Sequence, residues 1–212
     1  MADSPGFRAL RDRILEIARP GARDRLLDVG AGTGLLALAA APHVATVSAL
    51  DNSPAMCRHL ESEFRRLGIE NAEVLLSSAT ELPLADSAVD IVVSNYCFHH
   101  LSAPEKSRAL AEIGRVLRPG GRLAFGDMMF RVGLANRRDR AVIALLVGRM
   151  IRRGPAGLLR LAKNATRIAA GRWEHPASVE WWHDALLHAG FVEVTVQALE
   201  HEGGIAFARK PD

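Results

Sequence analysis

Leu26-Leu27-Asp28-Val29-Gly30-Ala31-Gly32-Thr33-Gly34 runs an apolar segment straight into three closely spaced glycines. The apolar part predicts a buried strand over Arg25–Gly30, and the residues beyond predict a helix through Leu35–Ala41. Glycines at such a turn allow positive φ and let a ligand approach the backbone. The dinucleotide-binding turn is spaced G-x-G-x-x-G; here the spacing is G-x-G-x-G, and Leu35 stands where the last glycine of that motif would be. No Lys-Ser/Thr pair follows, so the turn is not a phosphate-binding P-loop. It suits a ligand whose phosphate-free amino acid end packs on the turn. Plain turn chemistry is the alternative.

Outward from the turn, strand and helix signals alternate. Thr46–Asp51 reads as a second strand, then Ser53 as the N-cap of a helix that starts with Pro54, runs to Leu67 and stops at Gly68. Glu73–Ser78 and Val89–Asn95 are further strands. A helix over Pro104–Leu117, capped near Ser102 or Ala103, ends at Pro119-Gly120-Gly121, and Arg122–Met129 follows as the fifth strand. A helix over Phe7–Ala18 precedes the set. Ala177–Ala189 is a late helix, and strands Val192–Leu199 and Ile205–Arg209 close the chain around a turn at His201–Gly204. Such alternation predicts an α/β fold with a mostly parallel sheet. The last two strands must be antiparallel, because a parallel pair needs a long crossover.

Length and composition bound the rest. The 212 residues, 49% hydrophobic and 24% charged, fit one domain spanning 1–212 with a modest insertion at about 130–175. No run of eighteen apolar residues predicts a membrane span, and the first twenty residues lack the apolar core of a secretory signal. Cys57 and Cys97 have neither zinc-site spacing nor disulfide density. These features lead to the expectation of a cytoplasmic protein. Charge is uneven: between Arg131 and Glu174 eleven basic residues face two acidic ones, a net +9 that leaves −6 for the rest of a chain totalling +3. Such a block reads either as a solvated helix face or as a contact for an anionic membrane surface.

Asp51 ends the second strand about twenty residues past the turn, where an acid can accept bonds from ribose hydroxyls; an Asx turn before Pro54 is the other reading. Together, LLDVGAGTG (26–34), ALDNSPAM (49–56), ATELPLADSAVDIVVSN (79–95), HHL (99–101) and EIGRVLRPGGRLAFGD (112–127) resemble the class I S-adenosylmethionine-dependent methyltransferases, especially their small-molecule branch. The resemblance covers about Leu26 to Asp127 plus the closing strands. It implies a Rossmann-like seven-stranded sheet of order 3-2-1-4-5-7-6, strand 7 alone antiparallel, with helices on both faces. It also implies S-adenosyl-L-methionine as cofactor and S-adenosyl-L-homocysteine as product. Asp28 and the turn Gly30, Ala31, Gly32 and Gly34 would hold the methionine end, Asp51 the ribose, with Asn52 beside the adenine. Ala79 and Thr80 would flank the adenine edge, and Asn95 would lie under the methionine moiety. Relatives often carry G-D-A where this chain has Ser77-Ser78-Ala79, so Ser78 offers a hydroxyl in place of a charged acceptor, a weaker bond.

Displacement at a sulfonium needs mainly positioning and water exclusion, with a base only for a protic acceptor. His99 and His100, after the fourth strand, are the candidate catalytic residues; capping or packing is their structural alternative. No third ligand stands at useful spacing from them, so no metal is expected. Asp127 ends the fifth strand and either faces the acceptor or bonds its own loop, while Cys97 can line the pocket without being an activated thiolate. Trp181 and Trp182 read as core, His183 and His188 as surface or core-edge. The apolar stretches 141–151 and 157–170 of the insertion predict lid-like helices over a hydrophobic or lipid-like acceptor. RNA or protein methylation, a non-catalytic S-adenosylmethionine-binding protein and a dehydrogenase are competing readings. Asn95-Tyr96-Cys97-Phe98 differs from the Asn/Asp-Pro-Pro-Tyr/Phe of amino-methylating relatives, and the basic insertion lacks interleaved aromatics, so nucleic acid is not the expected partner.

Overall fold

A computed structural model describes residues 5–130, 137–152, 154, 156, 174–199 and 202–212. Its elements are α1 (Pro5–Ala18), β1 (Arg25–Val29), α2 (Ala37–Ala40), β2 (Thr46–Asp51), α3 (Pro54–Leu67), β3 (Ala72–Leu76), β4 (Val89–Asn95), α4 (Ala103–Val116), β5 (Leu117–Met128), α5 (Arg137–Ile151), α6 (Val179–His188), β6 (Val192–Ala198) and β7 (Gly203–Arg209). Single 3₁₀ turns lie at Ala41–His43 and Phe98–His100. The sheet order is β3-β2-β1-β4-β5-β7-β6. β7 runs antiparallel to both β5 and β6, and the other pairings are parallel. This is the Rossmann-like order that the resemblance implies.

Parallel strands bury both faces, and side chains alternate between them. Leu27, Val92, Leu123 and Phe125 face one core, closed by Leu110, Ile113 and Val116 of α4 and by Trp182 and Leu186 of α6. Their neighbours Leu26, Ile91, Val93 and Ala124 face the other, closed by Leu10 and Ile14 of α1 and Leu60 and Phe64 of α3.

Local chemistry sets the ends. Ser53 Oγ accepts from the Met56 N–H at 3.4 Å, and Gly68 ends α3 in the left-handed region at φ 65°. Ser102 starts α4 through a capping box with Glu105. Most boundaries fall within two residues of expectation, but three differences matter more. The helix after the glycine turn begins only at Ala37, since residues 32–36 stay in the turn. β3 stops at Leu76, which frees Ser77 and Ser78 for the sheet edge. Pro119-Gly120-Gly121 does not stop α4: Leu117 already pairs with Val89, and the triplet is an irregularity inside β5 before Arg122 pairs with Ile91. Stretch 141–151 lies within α5, whereas the predicted helix over 157–170 falls outside the described residues. Among the described residues no helix is long and apolar enough to cross a membrane.

Candidate active site

The order of the strands reverses between β1 and β4, and open α/β sheets bind ligands in the crevice this leaves at their carboxyl edge. A cavity of about 280 Å³ lies there. Of the residues singled out in the sequence, Gly30, Gly32, Asp51, Asn52, Ser78, Ala79, Cys97 and His100 line it. Leu50, Ser77, Tyr96 and Leu101 line it too; each falls within a quoted motif but was given no role there. Asp28, Ala31, Gly34, Thr80, Asn95 and His99 are not on its wall.

The glycine turn is tied to the end of β2. Gly30 and Ala31 both donate backbone N–H groups to the Leu50 carbonyl, at 2.8 and 2.9 Å. At Gly30, φ is +72° and a Cβ would stand 2.3 Å from Cys97 Sγ, so no other residue fits. At Gly32, φ is +54° but a Cβ would meet no protein atom nearer than 3.9 Å, so a side chain there would occupy the crevice itself. The Gly32 N–H donates to Asp51 Oδ2 at 2.8 Å, and the Ser53 N–H to Asp51 Oδ1 at 2.9 Å. Each carboxylate oxygen spends one lone pair on the backbone, which leaves acceptor capacity for a vicinal diol.

Asp28 is 1% exposed, and its carboxylate accepts from the Ala37 N–H at 3.0 Å, bracing the turn from behind. Burial pushes its carboxyl from 3.8 up to about 7; the Ala37 bond draws it down and the Asp51 charge adds to the rise. A folded-state value above the unfolded one contributes stability fully below about pH 4 and loses it as pH climbs through about 7. Asp28→Asn keeps an oxygen for Ala37 and removes the titration. The variant is therefore expected to gain stability relative to the native protein from pH 5 to pH 8, read by urea unfolding at both. A constant difference between the two proteins would count against it.

Ser78 Oγ and Thr80 Oγ1 are 2.8 Å apart, and Ser78 Oγ also accepts from the Thr80 N–H at 3.2 Å. Thr80 thus reaches the crevice through Ser78. Asn95 Oδ1 is buried with no protein partner among the described residues, which suits an acceptor for a bound ammonium. Burial pushes the Cys97 thiol up to about 12, with Asp127, Asp28 and Asp51 adding to it, so Cys97 carries no thiolate.

The two histidines part company. His99 is 5% exposed and its Nδ1 lies 2.6 Å from Asp127 Oδ1, so Asp127 faces the histidine loop. His100 is exposed on the crevice wall, its ring centre 4.0 Å from that of His99. Burial and the neighbouring His99 and Lys106 lower its pKa, against Glu174 and Asp127.

The fold also supplies what sequence spacing did not: ligand-type atoms of Glu174, His99 and His100 lie within 4.8 Å of one another. Glu174 is remote in sequence and was read only as one of the two acids of the basic segment, so only tertiary structure reveals it. The two rings, centred 4.0 Å apart, stand closer together than on a shared tetrahedral zinc. Two imidazoles on one tetrahedral zinc would be centred roughly 5 Å apart, given bonds of about 2 Å.

Lys106 is buried beside this cluster. Its ammonium donates to the Leu101 carbonyl and, at 2.6 Å, to the His175 carbonyl. Burial lowers its pKa to about 8, against Asp127 and Glu105.

Comparison with known proteins fits this geometry. Residues 26–121 match the family described as a methyltransferase domain. The malonyl-[acyl-carrier protein] O-methyltransferase of Methylococcus capsulatus is 41% identical over 128 residues, 57% of this chain and 45% of that one. The arsenite methyltransferase of Halobacterium salinarum is 38% identical over 109 residues, 50% of this chain and 27% of that one. This chain thus spans less than half the length of these curated relatives. The crystal structure of a SAM-dependent methyltransferase from Aquifex aeolicus superposes with a TM-score of 0.68 at 22% identity, covering 98% of this chain and 94% of that one, a likeness of fold.

Proposed function

Since residues 26–121 match the methyltransferase-domain family, we propose that the protein is a class I, S-adenosylmethionine-dependent methyltransferase that transfers a methyl group to a small acceptor. Asp51 carries this reading: its carboxylate is fixed by Gly32 and Ser53 at the mouth of β2, with acceptor capacity turned toward the crevice. Among the described residues the wall of that crevice holds no lysine or arginine, which favours a ligand without phosphates.

When bound, the sulfonium supplies an electrophilic methyl group. This chain's residues position the two partners. Asp51 takes the ribose hydroxyls, Asn52, Ser78 and Ala79 border the adenine, and Gly30 and Gly32 admit the methionine end close to the backbone. Asp28, Ala31 and Gly34 shape the turn from behind, Thr80 orients Ser78, and Asn95 Oδ1 accepts from the ammonium. His99 and His100 stand on the acceptor side.

A hydrophobic or acyl-type acceptor is favoured by the apolar stretch in α5 and by the relative named for malonyl-[acyl-carrier protein]. The test is calorimetric titration with S-adenosylmethionine, followed by a screen of acyl and aromatic acceptors with methyl-labelled cofactor. Binding at micromolar concentrations and label in product are expected. Absence of binding at millimolar cofactor would end the reading.

A further inference from the structure

Resting on that reading, we infer that the acceptor is a protic nucleophile, an O–H or N–H compound, which yields its proton to His100 while Glu174 holds the imidazolium. Among the residues lining the crevice, the ionisable side chains are Asp51, Tyr96, Cys97 and His100. Asp51 is bound to Gly32 and Ser53 at the β2 end, and the Cys97 thiol is held protonated by burial. A tyrosine hydroxyl would have to lose its own proton before it could serve as a base. Among the described wall residues His100 is the imidazole, the group suited to general-base work, and its exposure lets the proton leave to water.

Its surroundings are built. Behind it, the His99 ring at 4.0 Å is locked by the 2.6 Å contact with the 1%-exposed Asp127. Beside it stands Glu174, whose position is fixed through the next residue. The His175 N–H donates to the His99 carbonyl at 2.7 Å, and the His175 carbonyl accepts from Lys106 at 2.6 Å. The segment after the insertion is thereby fastened onto the histidine loop with a carboxylate at the imidazoles. Among the described residues, His99, Asp127, Glu174 and Lys106 are the ionisable groups that act on His100. The two carboxylates, Glu174 and Asp127, offset part of what burial, His99 and Lys106 cost the imidazolium.

In the step, the acceptor's O–H or N–H proton passes to an imidazole nitrogen of His100. The acceptor atom bonds the methyl carbon while the carbon–sulfur bond breaks, its electron pair staying on sulfur. The positive charge lost by the sulfonium appears on His100, so the balance closes without a co-reactant.

The test begins without an acceptor. Side-chain ¹⁵N NMR of the protein with S-adenosylhomocysteine follows His100 in the native chain, Glu174→Gln and Glu174→Asp. The His100 midpoint is expected to fall by about half a pH unit or more in Glu174→Gln and to recover in Glu174→Asp. A midpoint unmoved by Glu174→Gln overturns the inference.

With phenols and primary amines set against thioethers and tertiary amines, label should enter only the protic set. His100→Asn should lower kcat about 100-fold or more with little change in KM. Transfer at native rates in His100→Asn, or to the aprotic set, overturns it. Calorimetry with S-adenosylmethionine on each protein separates the two readings. A native protein that fails to bind sinks the methyltransferase proposal, whereas normal binding with an unmoved midpoint sinks only the base.

Discussion

Asp51→Ala is expected to weaken S-adenosylmethionine binding by a factor on the order of 10² to 10⁴. Hydrogen bonds to a charged group contribute about 1.5–3 kcal/mol each, and the carboxylate is placed to accept two ribose hydroxyls. The loss has a second source. Asp51 also accepts the Gly32 and Ser53 N–H groups, so its removal unties the glycine turn from β2. The Gly30 and Ala31 bonds to Leu50 persist, which should keep the turn folded while its tip loosens. Asp51→Asn is expected to fall between: its amide oxygen serves one backbone N–H, but its NH₂ opposes the other. Calorimetry with S-adenosylmethionine, beside urea unfolding of each variant, checks both parts. Binding within threefold of the native protein in a folded Asp51→Ala would mean that the ribose is held elsewhere.

The strand pattern was readable because every central strand is buried on both faces, so apolar runs such as Val89–Asn95 stand out without alternation. Caps at Ser53 and Gly68 fix α3 locally and were equally plain. Pro119-Gly120-Gly121 misled because the same residues make a helix stop and a bulge, and only pairing with β4 decides between them. In the site, the turn and Asp51 were legible since their spacing follows from one βαβ unit. The contrasting placement of His99 and His100 was not: adjacent residues of a 3₁₀ turn diverge, and which one meets Asp127 depends on β5. Glu174 was hidden for a similar reason, since Lys106 and His175 bring it home across 69 residues of chain.

Trp182→Ala is expected to cost about 3–5 kcal/mol of stability, the range for removing a large buried aromatic side chain. Trp182 is 1% exposed and packs its ring against Phe125 at 4.8 Å, Trp181 at 5.1 Å and Phe98 at 5.6 Å. In a chain this long each kcal/mol shifts Tm by about 2–4 °C, so a drop of roughly 6–20 °C is expected. The consequence reaches the site because Phe98 immediately precedes the two histidines in the same 3₁₀ turn. A cavity beneath Phe98 lets that turn shift, and the methyl-transfer rate should fall further than S-adenosylmethionine affinity. Trp182→Phe separates packing from polarity. Trp182 Nε1 is buried with no protein partner among the described residues, so phenylalanine removes an unsatisfied donor while keeping most of the ring contacts. Its net cost is expected to be well below that of Ala, about 1–2 kcal/mol, because the smaller ring leaves only part of the indole's volume empty. Thermal and urea unfolding of both variants decides the matter. Equal losses for Ala and Phe would show that the indole N–H, rather than the ring's volume, carries the stability at this position.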